Sequence, residues 1–320
     1  MAVFDKIKNK ITFEIKLYRE TNAKIAVLQF VRDFLIRDGM KLYNRIEFAK
    51  QEEIKRFLKS DLSDVIEKYK EKDTVNHKKI RPVNVWTFWG QGFENAPDIV
   101  KKCNEQLHYQ AEKSKEIKIV ELDLNNYKSY VKIPENIVRL YYNGSLSVVN
   151  FSDILRVFLL SQCGGGWVDA TVYVSSPLDE IYDSPIYTVK HDLFKEKEHV
   201  CKGKWSSFFM AATQKNLLFP YLQDAFSAYC EKHDFFISYF LIDCLIAIGY
   251  EEISQIKAEI DNVPQNNKGV FRLIDALKAE ATDDTIHRIL EENSIHKLAY
   301  QIKDPSLVVK RLETISERKV

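Results

Sequence analysis

The stretch SDILRVFLLSQCGGGWVDATVYVSSP, residues 152–177, places a helix signal directly before a run of glycines. Ser152 is a favourable N-cap residue, because its hydroxyl oxygen can accept a hydrogen bond from the first helical turn. The apolar positions after it recur at helical spacing, which predicts a helix over residues 153–163 with one face in the core. Three glycines at 164–166 end this helix.

A strand is predicted directly after the glycines. Residues 167–174 (WVDATVYV) alternate between two faces, as expected for a strand that is buried on one side. In a single strand Asp169 and Thr171 point the same way, because they are two positions apart. The stretch therefore offers one acidic side chain and one hydroxyl on a common face.

Upstream of this stretch the sequence predicts a strand, a helix and a second strand. Residues 83–89 (VNVWTFW) are β-branched and aromatic, which favours a buried strand. Pro97 fits the first position of a helix over residues 97–111, and residues 117–122 give the second strand. Such a βαβ unit implies a parallel sheet that binds its ligand at the carboxyl ends of the strands. The fold class is therefore expected to be α/β.

Downstream elements continue this pattern. We predict one short helix after Pro134, strands over residues 186–189 and 208–212, a largely helical region over 217–249, and a helical tail that is interrupted near 293–300. The apolar run at 235–249 contains Asp243 and is too short to cross a bilayer, which takes about 20 residues. It is expected to be a buried core helix.

The first 80 residues are predicted to form a separate N-terminal helical segment, followed by one α/β domain over residues 81–320. Through residue 80 there are 19 basic and 13 acidic residues, a difference of +6. An apolar stripe at helical spacing comprises Phe4, Ile7, Ile11, Ile15 and Tyr18. The segment can lie on an anionic membrane surface or pack on the domain as a helical layer, and the two are compatible.

The totals exclude several classes of protein. A net charge of +1 gives no field that would recruit nucleic acid, so no nucleic-acid partner is expected. The five cysteines are scattered, without the spacing of a zinc site or a disulfide framework. That usage favours a reducing cytosol, and the N-terminus lacks the apolar core of a signal peptide. The expected location is cytoplasmic, with peripheral attachment to the inner face of the cell membrane as an option.

Several pieces of the chain resemble a known family. The SDxxR pattern at residues 152–156, followed by GGGWVDAT at 164–171, resembles the sugar-binding region of DXD-type glycosyltransferases. The branch with this DAT variant is the bacterial capsular polysaccharide synthesis family. Outlying features that agree are TFWGQG at 87–92 with Pro97 after it, Trp205 with residues 208–212, YFLID at 239–243 and IHKL at 295–298. The resemblance covers about residues 83–300.

The resemblance implies a Rossmann-like mixed sheet of the nucleotide-sugar transferase A type. It also implies transfer with retention at the anomeric carbon, a UDP-sugar donor and a divalent metal, Mn²⁺ or Mg²⁺. Such a cation prefers carboxylate and phosphate oxygens and stabilises the departing diphosphate. Asp169, Thr171 and His296 are the implied metal ligands, although a hydroxyl at 171 is a weaker ligand than the aspartate of the DXD pattern.

The resemblance also assigns the donor site. Asp153 and Arg156 share a helix face at i and i+3 and are implied to hold sugar hydroxyls, the alternative being an intrahelical ion pair. Lys297 is implied to contact the diphosphate, and Ala170 lies within the donor-binding motif. Asp243 either contacts the acceptor or is paired internally; Tyr239 could join it. The catalytic candidates are therefore Asp153, Arg156, Asp243 and Lys297.

An aromatic strand end is the candidate uridine pocket. The face of Trp89 can stack on uracil, with Thr87 and Gln91 beside it. The alternative is that the aromatic residues of this strand all belong to the core.

Together these features predict a hexosyltransferase for galactose or glucose that acts on a polyprenyl-diphosphate-linked saccharide in capsule assembly. Front-face displacement, with the leaving phosphate accepting the proton, is the expected route. The alternative is a non-catalytic nucleotide-sugar or glycan binding module with a decayed metal site, which Thr171 motivates. A sugar-phosphate transferase is a third possibility.

Overall fold

The computed structural model describes residues 2–36, 41–72, 83–114, 116–178, 184–192, 199–212 and 216–317. Side chains are described for all of these except residues 2–9, 41 and 316–317. The predicted boundary between residues 80 and 81 falls outside the described residues. The division of the chain into two units therefore stays a prediction.

The described part of the N-terminal segment is helical, as predicted. It contains α1 (Ala2–Glu20), α2 (Ala23–Phe30), α3 (Lys41–Asp61) and α4 (Ser63–Lys70), and a π-helical turn, Val31–Leu35, continues α2. The inner faces of these helices, including Leu17, Ile54 and Leu58, join one apolar core with residues from the rest of the chain.

The remaining elements alternate between strands and helices. They are β1 (Val83–Phe88), α5 (Asp98–Glu112), β2 (Ile117–Leu122), α6 (Glu135–Tyr142), α7 (Val148–Gln162), β3 (Gly165–Val168), β4 (Val172–Val174), β5 (Ile186–Thr188), β6 (Phe209–Ala212), α8 (Leu218–Lys232), α9 (Leu241–Glu252), α10 (Ser254–Asn262), α11 (Arg272–Lys278), α12 (Asp283–Glu292), β7 (Ile295–Lys297) and α13 (Pro305–Glu317).

The described strands form a five-stranded mixed sheet in the order β2-β1-β3-β6-β5 and a two-stranded sheet of β4 and β7. Strand β1 pairs in parallel with both β2 and β3, whereas β6 is antiparallel to β3 and β5. The predicted βαβ unit and the α/β class are confirmed. The prediction that Pro97 is the first helical residue of α5 was wrong, because Pro97 is the N-cap.

Helix α7 begins earlier than the sequence predicted. Its N-cap is Ser147, whose hydroxyl oxygen accepts a hydrogen bond from the backbone N–H of Asn150, while the Asn150 side chain accepts one from the backbone of Ser147. This reciprocal capping box satisfies two terminal N–H groups at once. The prediction of Ser152 as N-cap was wrong, and Ser152 lies inside the helix.

The single strand predicted over residues 167–174 is two strands in different sheets. Strand β3 ends at Val168, and the chain turns with a hydrogen bond from the Val172 N–H to the Asp169 carbonyl before β4 begins. Asp169 and Thr171 therefore lie in the turn between the sheets and not on one strand face. The tail interruption near 293–300, for which no structure was predicted, contains β7, which pairs with β4.

The core helix predicted over residues 235–249 is confirmed from Leu241 onward: residues 241–249 of α9 are all buried. Residues 235–240 precede the helix, and Tyr239 among them is exposed. In the described part of the chain, no helix combines the length and the apolar character that spanning a lipid bilayer requires.

Candidate active site

A cavity of about 830 Å³ lies where β1 and β3 end. Its walls come from the ends of both strands, from α7, from the segment before and within α9, and from the chain after β7. Most of the residues singled out by sequence line it: Trp89, Gln91, Asp153, Arg156, Asp169, Ala170, Thr171, Tyr239, Asp243 and Lys297. The position agrees with the rule that α/β sheets bind ligands at the carboxyl ends of their strands.

The glycine run fixes the position of Asp169 relative to the sheet. Gly165 has φ +92°, and a Cβ atom there would lie 2.2 Å from the carbonyl oxygen of Asn84 in β1. Only glycine permits this approach, which allows β3 to pair with β1. Asp169 follows β3 immediately, and its N–H donates to the carbonyl oxygen of Phe208 at 2.9 Å.

Both carboxylate oxygens of Asp169 accept hydrogen bonds. Oδ1 accepts from Arg156 Nη2 and from Trp167 Nε1, each at 2.8 Å, and Oδ2 accepts from Lys297 Nζ at 2.8 Å. Burial would raise the pKa of Asp169, but the charges of Lys297 and Arg156 and the hydrogen bonds outweigh it and hold the pKa below its usual range. Asp169 is therefore an anion held by two cations.

The β4–β7 ladder brings Lys297 to this anion. Val172 pairs with Lys297, and the N–H of Leu298 donates to the carbonyl oxygen of Thr171 at 2.8 Å. The Lys297 ammonium thus reaches the Thr171 hydroxyl oxygen at 2.7 Å as well as Asp169. The four residues Asp153, Arg156, Asp169 and Lys297 are called the cavity cluster below.

Two predicted site residues do not reach the cavity. His296 lies on the opposite face of β7 from Lys297; it is fully buried, and its Nε2 shares a hydrogen bond with the Ser175 hydroxyl at 3.2 Å. Thr87 is buried within β1 and is absent from the cavity lining. The structure gives no support to a metal role for His296 or a uridine contact for Thr87.

Arg156 has buried donors without partners. Its Nη1 lies 3.2 Å from Asp153 Oδ1 as an ion pair but without hydrogen-bond geometry, and neither Nη1 nor Nε has a hydrogen-bond partner in the described residues. The guanidinium is 5.0 Å from the Trp167 ring centroid, which fixes its plane. Ordered water or a ligand with acceptor oxygens can satisfy such donors.

Nearby cations compensate the negative charge of Asp153 less well than that of Asp169. Burial raises its pKa to about 7, and the nearby Asp169 and Asp243 carboxyls add to this, while Arg156 opposes it. Near neutral pH it exists in both protonation states. It can therefore accept or donate a hydrogen bond to a ligand hydroxyl.

Asp243 also lines the cavity, close enough to Asp153 for its charge to raise the pKa of that carboxyl. Its Oδ1 accepts a hydrogen bond from Trp205 Nε1 at 2.9 Å, and burial raises its pKa against the opposing influence of His199. Tyr239, which is 65% exposed, lines the cavity as well. Asp243 is both internally bonded and accessible from the cavity, so the two alternatives raised by the sequence remain.

An aromatic pair closes another part of the cavity. The rings of Trp89 and Tyr300 meet edge to face with centroids 5.3 Å apart, and Trp89 is only half-buried. Gln91 is exposed beside them. This part of the cavity can take a flat ring, and Gln91 offers an amide to its edge.

The residues present do not fit the Mn²⁺ or Mg²⁺ site expected from the sequence. Asp169 is occupied by Arg156, Trp167 and Lys297, the Thr171 oxygen accepts from Lys297, and His296 lies elsewhere. Within the described ranges, no three His, Cys, Asp or Glu side chains are grouped as possible ligands of a metal ion.

Sequence reasoning missed two residues that shape the site. Trp167 donates to Asp169 and stacks on Arg156, and its position directly after the glycines was a usable signal. Tyr300 completes the aromatic pair with Trp89. Nothing in the local pattern around Tyr300 indicates a partner more than 200 positions away.

Among known proteins, a family model matches most of the chain, whereas individual curated proteins do not match it. No curated protein matches it significantly. Residues 37–315 match the family model described as capsular polysaccharide synthesis protein, a range that begins before β1 and includes α3 and α4. The chain therefore belongs to the capsular polysaccharide synthesis protein family and has its role in that synthesis.

Proposed function

We propose that this chain is a retaining glycosyltransferase that moves galactose or glucose from a UDP-sugar to a lipid-linked oligosaccharide. The observation that carries the proposal is Arg156, which is 3% exposed in the cavity wall with two donors that no described residue satisfies. Leaving such donors dry costs about 1–3 kcal/mol each, which a ligand rich in oxygen recovers. Sugar hydroxyls and a diphosphate are ligands of that kind.

The sugar lies between Asp153 and Arg156 in this proposal. Arg156 donates from Nε and Nη1 to hydroxyl oxygens, and the Asp153 carboxyl binds adjacent hydroxyls. Arg156 stays fixed meanwhile, because Nη2 remains bonded to Asp169. The planar guanidinium suits two neighbouring hydroxyls better than a lysine would.

The chemical step is a displacement on the face that the diphosphate leaves. The bond between the anomeric carbon and the β-phosphate oxygen breaks, and its electron pair stays on that oxygen. The acceptor hydroxyl oxygen forms the new bond to the anomeric carbon, and its proton passes to the departing diphosphate. Lys297, with a cationic head at the cavity wall, stabilises the charge that develops on the leaving group.

The remaining walls take the uracil ring and the acceptor. Trp89 and Tyr300 offer aromatic surface for stacking, with Gln91 at the edge. Asp243 and Tyr239, which also line the cavity, contact the acceptor, a polyprenyl-diphosphate-linked saccharide. The cavity volume of about 830 Å³, with both Trp89 and Asp243 in the lining, is what supports a two-substrate site.

The N-terminal helices are proposed to rest on an anionic membrane surface where a lipid-linked acceptor resides. Ile11, Ile15 and Tyr18 are exposed on α1, so the part of the stripe whose side chains are described does not pack on the protein. Val27, Phe30 and Phe34 are exposed on α2 and the turn after it, and the Lys10 ammonium lies 5.7 Å from the Phe34 ring centroid. Exposed aromatic and aliphatic groups beside lysines suit a headgroup interface.

Flotation with vesicles tests the membrane surface. We expect the protein to float with vesicles containing anionic lipid, less so at high salt, and a Phe30→Ser/Phe34→Ser variant to remain in solution. A matched Tyr109→Ser variant, which alters an exposed aromatic residue on α5, should float like the wild type. Equal flotation of the double variant would contradict the membrane proposal.

Product analysis tests the transferase itself. Incubation with UDP-galactose or UDP-glucose without acceptor should release UDP slowly, with the sugar initially in the α configuration by NMR. A non-catalytic binding module, the alternative motivated by Thr171, would bind the nucleotide sugar and release nothing. A sugar-phosphate transferase would release UMP. Absence of any release with either donor, with and without added lipid-linked acceptor, would overturn the proposal.

A further inference from the structure

The space between Asp169 and Thr171 is filled by a cation that belongs to the protein. Lys297 Nζ donates to Asp169 Oδ2 at 2.8 Å and to Thr171 Oγ1 at 2.7 Å. These are the two positions at which the DXD pattern has its paired aspartates. The ammonium is held by antiparallel pairing of β4 with β7, which sets Lys297 opposite Val172.

A divalent ion would compete with this arrangement. An ion bound to Asp169 would lie close to the positive charges of both Lys297 and Arg156, which donate hydrogen bonds to the same carboxylate. Like charges a few ångströms apart repel one another strongly in a partly buried site, where water screens them little. With threonine at 171 there is no second carboxylate to offset that repulsion.

We propose that Lys297 is the cation that stabilises the departing diphosphate, and that binding and transfer in this chain need no divalent metal. The inference rests on the proposed function. An ammonium has three N–H donors, of which Asp169 and Thr171 use two, so one is left for a phosphate oxygen. Asp169 and Thr171 act as positioning residues, because they hold the ammonium without touching the reacting atoms.

Charge in the step is balanced without a metal. As the bond from the anomeric carbon to the β-phosphate oxygen breaks, the electron pair stays on that oxygen and Lys297 donates a hydrogen bond to the diphosphate. The acceptor proton is transferred to the same leaving group. Arg156, fixed by Asp169, adds a second positive charge to the wall.

Calorimetric titration with UDP tests this inference, in buffer with EDTA and in buffer with Mn²⁺. We expect the wild-type affinities to agree within about twofold. Lys297→Met should lower the affinity for UDP about 10- to 100-fold in both buffers while leaving the affinity for uridine unchanged, because only the diphosphate loses a charged partner. Lys303→Met, which removes an exposed lysine nearby in sequence, is the matched control and should bind like the wild type.

Two further variants guard against a loss of folding at Lys297. Thr171→Val removes one of the two groups that position the ammonium and should weaken UDP, but not uridine, by about three- to tenfold in either buffer. Thr171→Asp/Lys297→Ala recreates two carboxylates without the lysine, and its UDP affinity should rise when Mn²⁺ is added.

The contrary outcomes are distinct. Wild-type UDP binding that is lost in EDTA and restored by Mn²⁺ overturns this inference and leaves the proposed function standing. Unchanged UDP affinity in both Lys297→Met and Thr171→Val also overturns it. If neither UDP nor another nucleoside diphosphate binds in either buffer, the proposed function fails and the inference fails with it.

Discussion

Among the described residues, two largely buried clusters of opposite charges differ in the groups that they leave unpaired. One is the cavity cluster. The other, the N-terminal cluster, lies between α2 and α3 and consists of Gln29, Arg32, Glu47 and Lys50. Glu47 Oε2 forms ion pairs with Arg32 Nη1 and Lys50 Nζ, each at 2.8 Å. Lys50 Nζ also donates a hydrogen bond to Gln29 Oε1 at 2.9 Å.

The cavity cluster holds one carboxyl with a lowered pKa, Asp169, and one with a raised pKa, Asp153, whereas the carboxyl of the N-terminal cluster, Glu47, has a lowered pKa. Burial would raise the pKa of Glu47, but Lys50 and Arg32 outweigh it and lower the pKa. Burial raises the pKa of Asp153 to about 7, because Arg156 is committed to Asp169 and compensates Asp153 only in part. Arg156 also keeps two unpaired donors. The Glu14 carboxyl beside the N-terminal cluster also lacks a hydrogen-bond partner among the described residues, and burial raises its pKa to about 7. The unpaired groups of the cavity cluster differ from it in lining a cavity, where a ligand can bind.

The largest effect that separates the clusters is expected for Lys50→Met. It leaves a buried carboxylate short of one cation, which should lower the free energy of unfolding by about 3–5 kcal/mol. Urea denaturation measures this. Lys24→Met, in an exposed ion pair with Glu53 on the same helical segment, should change it by less than about 1 kcal/mol. Equal effects of the two substitutions would show that the N-terminal cluster has no special structural weight.

The effect of Asp153→Asn on the free energy of unfolding should have the opposite sign to that of Lys50→Met. A carboxyl with a raised folded-state pKa contributes stability at low pH that is lost as pH rises through about 7. Replacing it should therefore raise the free energy of unfolding on the order of 2–4 kcal/mol above pH 7 and abolish its fall between about pH 4 and 7.

Denaturation at a series of pH values checks this prediction, with Glu47→Gln as the matched control. Glu47 has a lowered pKa, so its contribution is present above the unfolded-state pKa and is lost as pH falls. Glu47→Gln should therefore destabilise the protein at neutral pH. If Asp153→Asn destabilises it as well, the contrast between the clusters is wrong.

Site residues that lie close together in the sequence could be predicted to meet, whereas those that meet through distant contacts could not. Asp153, Arg156 and Asp169 stand within one short stretch, so helix periodicity and the glycine run were enough to bring them near one another. The start of α7 was predicted wrongly because the sequence offers two serines as N-cap residues. Ser147 is the N-cap because Asn150 completes a capping box with it, while Ser152 has no such partner in the pattern.

The third wall of the site depends on a register that no local pattern fixes. Strand β7 has three residues and pairs with β4, which lies more than 100 positions earlier. A shift of one residue would exchange His296 and Lys297 between the two faces. From the sequence both were assigned to the site, and the actual register turns only Lys297 towards the cavity.

Arg156→Lys tests whether the unpaired donors matter. The variant keeps a positive charge beside Asp169 but removes the planar fork, so kcat/KM for the UDP-sugar should fall about 10- to 100-fold with little change in the unfolding midpoint. Arg32→Lys is the counterpart in the N-terminal cluster and should show the reverse: a small loss of stability and unchanged kinetics. Unaltered kinetics in Arg156→Lys would remove the observation on which the proposed function rests.

The smallest expected effect extends the comparison to two tryptophans. Trp89 is half-buried in the cavity wall, whereas Trp205 is fully buried and donates to Asp243. Trp89→Phe keeps an aromatic face of smaller area and should weaken UDP about two- to fivefold without changing stability. Trp205→Phe leaves a buried carboxyl without its donor and should lower stability by about 1–3 kcal/mol while UDP affinity is kept. Calorimetric titration and urea denaturation of both variants give the four values. If the two variants change the affinity for UDP alike, uracil does not stack on Trp89. The aromatic residues at that end of the cavity then only contribute to packing.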